Sequence, residues 1–256
     1  MKRFSYVARA VAWRSIRRMF SSPALLLPTV IPPLFVLIAF AGGLSKLSGV
    51  RDFGYPLGYT AFIFVFASLQ AATISGVFTG FAVARDFGTG FARRLLLTAP
   101  ARSGIIAGYL AAAIVRWIVT GTIVTIAAII GGVHVAGNGI DIAGLLGLGL
   151  LANLTAALWA CGTAMLLRTE QAGALIQLPV FVLLFLAPVY VPVGLLTGWI
   201  HDIARINPAT PVLEAGRGLL AGTPADLALS FSILAAGIAV TGIWARRGLS
   251  SAERAG

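Results

Sequence analysis

Eighteen residues from Ala24 to Ala41 carry no charged side chain, and comparable apolar runs recur at about 57–84, 107–132, 142–167, 172–196 and 226–245. Roughly 20 apolar residues wound into a helix cover the ~30 Å hydrocarbon core of a bilayer with every backbone hydrogen bond made internally. The sequence therefore predicts an all-α, polytopic membrane protein with six transmembrane helices. The first run ends in a small-x-small pattern, Ala39-Phe40-Ala41, and carries Pro28, Pro32 and Pro33. It is longer than the about 7–15 residues of a signal-peptide core, so it is read as an uncleaved span.

Composition agrees, at 59% hydrophobic and 11% charged residues, with a net charge of +11. Such a charge raises the question of nucleic acid, but the basic residues cluster at the ends of the apolar runs instead of forming one solvated face. They are better explained by topology, and no nucleic-acid partner is expected. Fourteen Lys and Arg lie in the N-terminal tail, the 85–104 segment, the 168–171 turn and the C-terminal tail. Only Lys46, Arg51, Arg205 and Arg217 lie in the alternate loops. The positive-inside rule then places both termini in the cytoplasm.

Three segments outside the runs have patterns of their own within what reads as a single transmembrane domain, 1–256. In residues 3–20, Arg3, Arg14, Arg17 and Arg18 share about a third of a helical wheel, and Phe4, Ala8, Val11, Ala12, Ile16 and Met19 fill much of the rest. This is the pattern of an N-terminal interfacial helix; a basic tail that only fixes orientation is the competing reading. The 85–104 segment, "RDFGTGFARRLLLTAPARSG", holds Phe87, Phe91 and Leu95 at i, i+4 and i+8, an apolar stripe for the bundle, with Arg93 and Arg94 projecting away. Gly88 and Gly90 permit a sharp exit from the second run and Pro100 limits the helix beyond it. A solvated loop whose arginines only hold topology is the alternative. The 197–225 segment is too long and apolar for a plain loop. Asn207-Pro208 and Thr210-Pro211 punctuate it, and short outer-leaflet helices between spans five and six are expected.

Catalytic patterns are lacking. The only lysines are Lys2 and Lys46, and there is no Gly-x-x-x-x-Gly-Lys-Ser/Thr loop to cradle phosphates. His134 and His201 lie on separate loops without paired carboxylates, and Cys161 has no partner cysteine, so neither a metal site nor a disulfide is expected. Inside the runs, Phe62, Phe66, Gln70 and Thr73 recur at helical spacing, as do Gln177, Phe181 and Phe185. Aromatic faces bearing one amide each suit an amphipathic guest, and they equally suit contact with lipid or neighbouring helices. Gly76-Val-Phe-Thr-Gly80 would let another helix approach closely. Arg116 is the one charge well inside a run, and its position about 10 Å from the start of its span favours a side chain that reaches back to the membrane surface.

Three stretches resemble the membrane subunits of type-2 ATP-binding-cassette exporters, the group containing the daunorubicin-resistance permeases. They are "RSIRRMFSSPALLLPTVIPPLFVLIAF", "ARDFGTGFARRLLLTAPARSGIIAGYLA" and "APVYVPVGLLTGWIHDIARINPATPVLEAGRGLL". The likeness runs in order from about residue 13 to residue 245. This chain has Asp86 where the family usually has glutamate, and Gly90-Phe91 where an acidic residue usually follows Gly-Thr. The resemblance implies a multi-pass permease of the bacterial cytoplasmic membrane, built as a dimer of this chain or with a homologue, and working with two cytoplasmic ATPase subunits. ATP and Mg would be bound by those partners, with no cofactor and no catalysis on this chain. It implies a coupling helix after span two carried by Asp86, Phe87, Gly88, Thr89, Phe91, Arg93, Arg94, Leu95 and Pro100. Arg14, Arg17 and Arg18 of the surface helix are the second place to look. It also implies a substrate pathway between spans one, two and five, where the aromatic faces lie, and an external signature formed by Asn207, Pro208, Thr210, Pro211 and Arg217. The expected function is outward movement of an amphipathic drug, lipid or glycoconjugate by alternating access. The rival is a membrane scaffold or assembly factor that docks a cytoplasmic partner and transports nothing.

Overall fold

A computed structural model describes residues 2–50 and 53–254, so Arg51 of the loop count lies outside the described residues. Ten α-helices follow one another: α1 (Lys2–Ser21), α2 (Pro23–Leu44), α3 (Gly58–Gly88), α4 (Phe91–Thr98), α5 (Ser103–Ile130), α6 (Gly139–Leu167), α7 (Ala172–Phe185), α8 (Trp199–Ile206), α9 (Ala209–Ala221) and α10 (Leu227–Arg254). No strand occurs among the described residues. Five helices among the described residues, α2, α3, α5, α6 and α10, are long and apolar enough to cross a membrane.

The bundle is organised around α3. Of its most apolar window 83% is buried, against 11% for α10 at the periphery. Small residues allow the close crossings. A Cβ on Gly76 would sit 2.8 Å from that of Ala156, and one on Gly80 would sit 2.7 Å from that of Ala160, so the Gly76-to-Gly80 motif is where α6 meets α3. A second glycine pair four residues apart, Gly104 and Gly108 on α5, receives α1. A Cβ on Gly108 would lie 2.6 Å from the Val11 Cβ and 2.7 Å from the Ala8 carbonyl. On the far side Gly162 and Gly248 bring α6 and α10 together, with Trp159 and Trp244 stacked at 5.8 Å.

The first helix lies across α5. Val7, Val11 and Met19 are buried, while Tyr6, Trp13 and Phe20 are 58–77% exposed on the opposite side. The outward aromatics recur every seven residues, which keeps them on one helical face and suits the water–lipid boundary.

The fifth apolar run departs from the expected continuous helix over 172–196. Helix α7 stops at Phe185 after 14 residues, about 21 Å at 1.5 Å per residue and short of a full crossing. Pro179 already removes one donor within it, and Pro188 and Pro192 prevent its resumption. The chain continues as turns and one 3₁₀ turn, Val193–Leu195.

Candidate coupling site

The exit of α3 builds the site. Thr89 closes the helix by donating its N–H to the Arg85 carbonyl, and Gly90 adopts φ +70°, a conformation costly for any residue with a Cβ. The chain reverses there and α4 begins at Phe91. Gly88 stays helical, and a Cβ there would sit 2.8 Å from the carboxylate of Glu170, an exposed side chain able to shift aside. The expected stripe Phe87, Phe91, Leu95 is consequently divided. Phe87 is buried as the last turn of α3, and α4 starts a new register in which Ala92 and Leu96 are the buried positions. Arg93, Arg94, Leu97 and Thr98 face away from the bundle, and Leu97 is 67% exposed. Ala99 turns extended before Pro100, which ends the helix after eight residues.

Both ends of α4 are clamped. At its start the Arg14 guanidinium lies 3.5 Å from the centroid of Phe91. At its finish Arg102 Nε donates to the Leu96 carbonyl (3.1 Å), and its guanidinium lies 3.7 Å from Glu253 at the end of α10. Behind the first clamp is Asp86, 2% exposed. Its carboxylate accepts two hydrogen bonds from Arg14 (2.6 and 2.8 Å), one from the Tyr109 hydroxyl (2.6 Å) and one from Arg18 (3.3 Å). The bidentate contact is the strongest arrangement open to a guanidinium. It raises the pKa of Arg14 above its ordinary value against the lowering effect of burial. Helices α1, α3 and α5 thus meet on one aspartate, and α4 rests on the same arginine. Arg17 is exposed on the outer side of α1.

Sequence reasoning missed Tyr109 in this group. It also misdirected Arg116, which does not reach back to the surface. At 6% exposure it turns inward, donating from Nη1 to the Ser75 carbonyl (3.1 Å) and Thr79 Oγ1 (3.2 Å) of α3. The Ser75 carbonyl, which also accepts from the Thr79 hydroxyl (3.4 Å), takes the guanidinium as a further donor. Small or hydroxylated residues at 75, 76, 79 and 80 leave α3 thin enough for a guanidinium to lie along it.

The two aromatic faces converge in part. Phe66, Phe181 and Phe185 form a contiguous ring group between α3 and α7, with centroids 5.6–5.7 Å apart. Phe66 and Thr73 line an apolar cavity of about 240 Å³ between α3, α6, α7, α9 and α10. Gln70 is 1% exposed with its Oε1 unpartnered, Gln177 is half-buried, and Phe62 is covered. The group above Phe62 is Arg217 of α9, 3.3 Å from the ring centroid.

Arg217 belongs to the opposite end of the bundle, where the 197–225 segment forms the two short helices α8 and α9. Its Nη1 donates to Glu214 (2.7 Å) and its Nη2 to the Pro188 and Val189 carbonyls (2.9 and 3.2 Å). Asn207 donates to the Leu183 carbonyl (2.7 Å) and accepts from the Ala209 N–H (2.9 Å). Thr210 Oγ1 donates to the Ala204 carbonyl, and the Pro211 carbonyl accepts from Ser230. Pro208 precedes α9 in helical conformation and leads the chain into it. Asn207 and Arg217 thus satisfy carbonyls in the last turn of α7 and just beyond it, while Thr210 and Pro211 bond to Ala204 and Ser230 of the neighbouring helices.

No curated protein gives a significant match to the chain. Residues 6–221 match the family described as ABC-2 type transporter, a stretch that takes in both ends of the bundle, the Asp86 group and α4. The chain belongs to the ABC-2 type transporter family of membrane domains.

Proposed function

We propose that the chain is the permease subunit of an ATP-driven exporter, moving an amphipathic drug, lipid or glycoconjugate outward by alternating access. In this reading α7 and the segment after it complete a sixth crossing, and both termini lie in the cytoplasm of a bacterial cell. Two permease subunits, copies of this chain or homologues, work with two cytoplasmic ATPases that bind ATP and Mg. The motifs of residues 84–111 and 187–220 resemble those of the daunorubicin-resistance group, which is the subgroup this reading favours.

One observation carries this reading. Helix α4 is short, gripped at both ends, and tied through Arg14 and Asp86 to three longer helices, yet it leaves Arg93, Arg94 and Leu97 free of the bundle. A solvated connector needs no such clamping. A lever that follows a closing ATPase does, because force passes only through a rigid joint. The Phe66, Phe181 and Phe185 group and the cavity beside it are then the part of the pathway that meets an apolar guest.

Reversing Arg93 and Arg94 together to glutamate tests the coupling role. Like charges against an acidic groove cost several kcal/mol at a close interface, roughly 10²-fold or more in affinity. The double variant should insert normally and lose either co-purification of the ATPase or transport. Normal complex and full transport would make the arginines topological. Retained complex assembly with no ATP-dependent transport in either protein would favour the scaffold reading instead.

A further inference from the structure

A cavity of about 360 Å³ opens behind the coupling site, between α1, the start of α2, the end of α3, α5 and the turn into α7. Four guanidinium groups, from Arg14, Arg18, Arg85 and Arg116, line it with two carboxylates, Asp86 and Glu170. The charges do not cancel locally. Asp86 is occupied by Arg14, Arg18 and Tyr109. Arg116 meets only the neutral acceptors of Ser75 and Thr79, and its buried Nε has no partner. Arg85 Nε is likewise buried without a partner, and Arg85 makes no ion pair among the described residues. Glu170 is exposed at the rim beside Gly88.

A buried cation that meets only neutral acceptors, as Arg116 does, is expensive, and an anion entering the cavity would give both it and the partly buried Arg85 on the same wall a counter-charge. The remaining walls are greasy: Leu25, Phe78 and Phe81 line the same space. A cavity with forked donors at one end and apolar side chains at the other matches a molecule with an anionic head and a hydrocarbon tail. Guanidinium pairs favour phosphate in particular, because planar N–H groups meet two of its oxygens at once. The geometry points to a binding site for the phosphate headgroup of an anionic lipid, held by Arg85 and Arg116 with its first methylenes against Phe78 and Phe81. The volume lies within the range of sites for small ligands, about 300–1,000 Å³. Occupancy here would press against α1 and the end of α3, the two elements that hold α4. The binding itself does not depend on the chain's being an exporter.

The full chain in nanodiscs provides the test, read by native mass spectrometry for bound lipid and by the thermal midpoint at which buried Cys161 becomes reactive to a thiol dye. Nanodiscs of phosphatidylcholine with increasing phosphatidylglycerol should show retained phosphatidylglycerol and a rising midpoint. Arg85→Gln removes an unpaired donor from the cavity wall and should weaken phosphatidylglycerol retention at least about tenfold, the worth of one charge-assisted hydrogen bond. Arg93→Gln with Arg94→Gln removes two exposed charges outside the cavity and should leave retention within about twofold. Should Arg85→Gln fail to fold, Arg85→Lys keeps the charge, loses the fork and should give an intermediate loss. Equal loss in the Arg85 and Arg93/Arg94 variants would reduce the effect to surface electrostatics and overturn the site. Equal stabilisation by millimolar inorganic phosphate in phosphatidylcholine discs would assign the cavity to a free anion and overturn the lipid assignment. Retention unchanged in both Arg85 variants would also refute it.

Discussion

Replacing Asp86 by alanine removes the one acceptor on which α1, α3 and α5 converge, and its cost follows from what is left behind. The Tyr109 hydroxyl, on a residue 2% exposed, loses its acceptor, and an orphaned buried donor costs about 1–3 kcal/mol. Arg14 and Arg18 lose their counter-charge, but their side chains are 33% and 40% exposed and can turn toward water. The Arg14–Asp86 term therefore falls between the about 0.2–1 kcal/mol of an exposed pair and the about 3–5 kcal/mol of a broken buried one, near 2 kcal/mol. Asp86→Ala should cost about 3–4 kcal/mol in all, and a double-mutant cycle with Arg14→Ala should return a coupling near 2 kcal/mol. Cys161, the only cysteine and fully buried, supplies the signal, since a thiol reagent reaches it only when the bundle opens. Unfolding by SDS in mixed micelles, followed through that reaction, gives the four free energies. A coupling below about 0.5 kcal/mol would mean that the two residues act independently and that the clamp on α4 has no energetic basis.

Gly108→Leu forces a side chain into the Ala8 carbonyl and Val11, so hydrogen exchange should show α1 losing protection while α6 and α10 keep theirs. Arg217→Met keeps an unbranched side chain but removes the guanidinium from the Phe62 face and strands the Pro188 and Val189 carbonyls, at a cost of about 2–4 kcal/mol in the same micelle titration. Glu214→Gln, on a side chain 44% exposed, should cost under about 1 kcal/mol. In a Cys161→Ala background, single cysteines at Ser45, Gly139 and Thr223 should react with an impermeant reagent outside intact cells, and those at Ser103 and Ser250 should not. Outside labelling of Ser103 would reverse the orientation.

The features legible in the sequence are those set by local chemistry. Apolar length marked α2, α3, α5, α6 and α10 because a span of that length has no other stable use, and Gly90 and Pro100 marked the limits of α4 because each acts on its own backbone. The amphipathic pattern of residues 3–20 likewise found α1. What escaped depends on partners distant in the chain. Arg116 and Ser75 are 41 residues apart, and Arg14 and Asp86 are 72 apart. No local pattern distinguishes an arginine that reaches back to the surface from one that lies along a neighbouring helix. The early end of α7 was within reach, since Pro188 and Pro192 stand in the run, but prolines in membrane helices often leave the helix intact, as Pro28, Pro32 and Pro33 do in α2. Beyond the end of α7 the Pro188 and Val189 carbonyls are taken by Arg217, a partner 28–29 residues away that no local pattern reveals.

The central claim is that α4 is the surface through which an ATPase moves this bundle. A photocrosslinking residue at Leu97, exposed and outward on α4, should capture an ATP-binding protein in cells, with a yield that changes when nucleotide hydrolysis is blocked by vanadate. The same residue at Gly139, at the other end of the bundle, should capture none. An ATPase captured equally from both positions, or from neither while the complex still purifies intact, would contradict the account and move the coupling surface off α4.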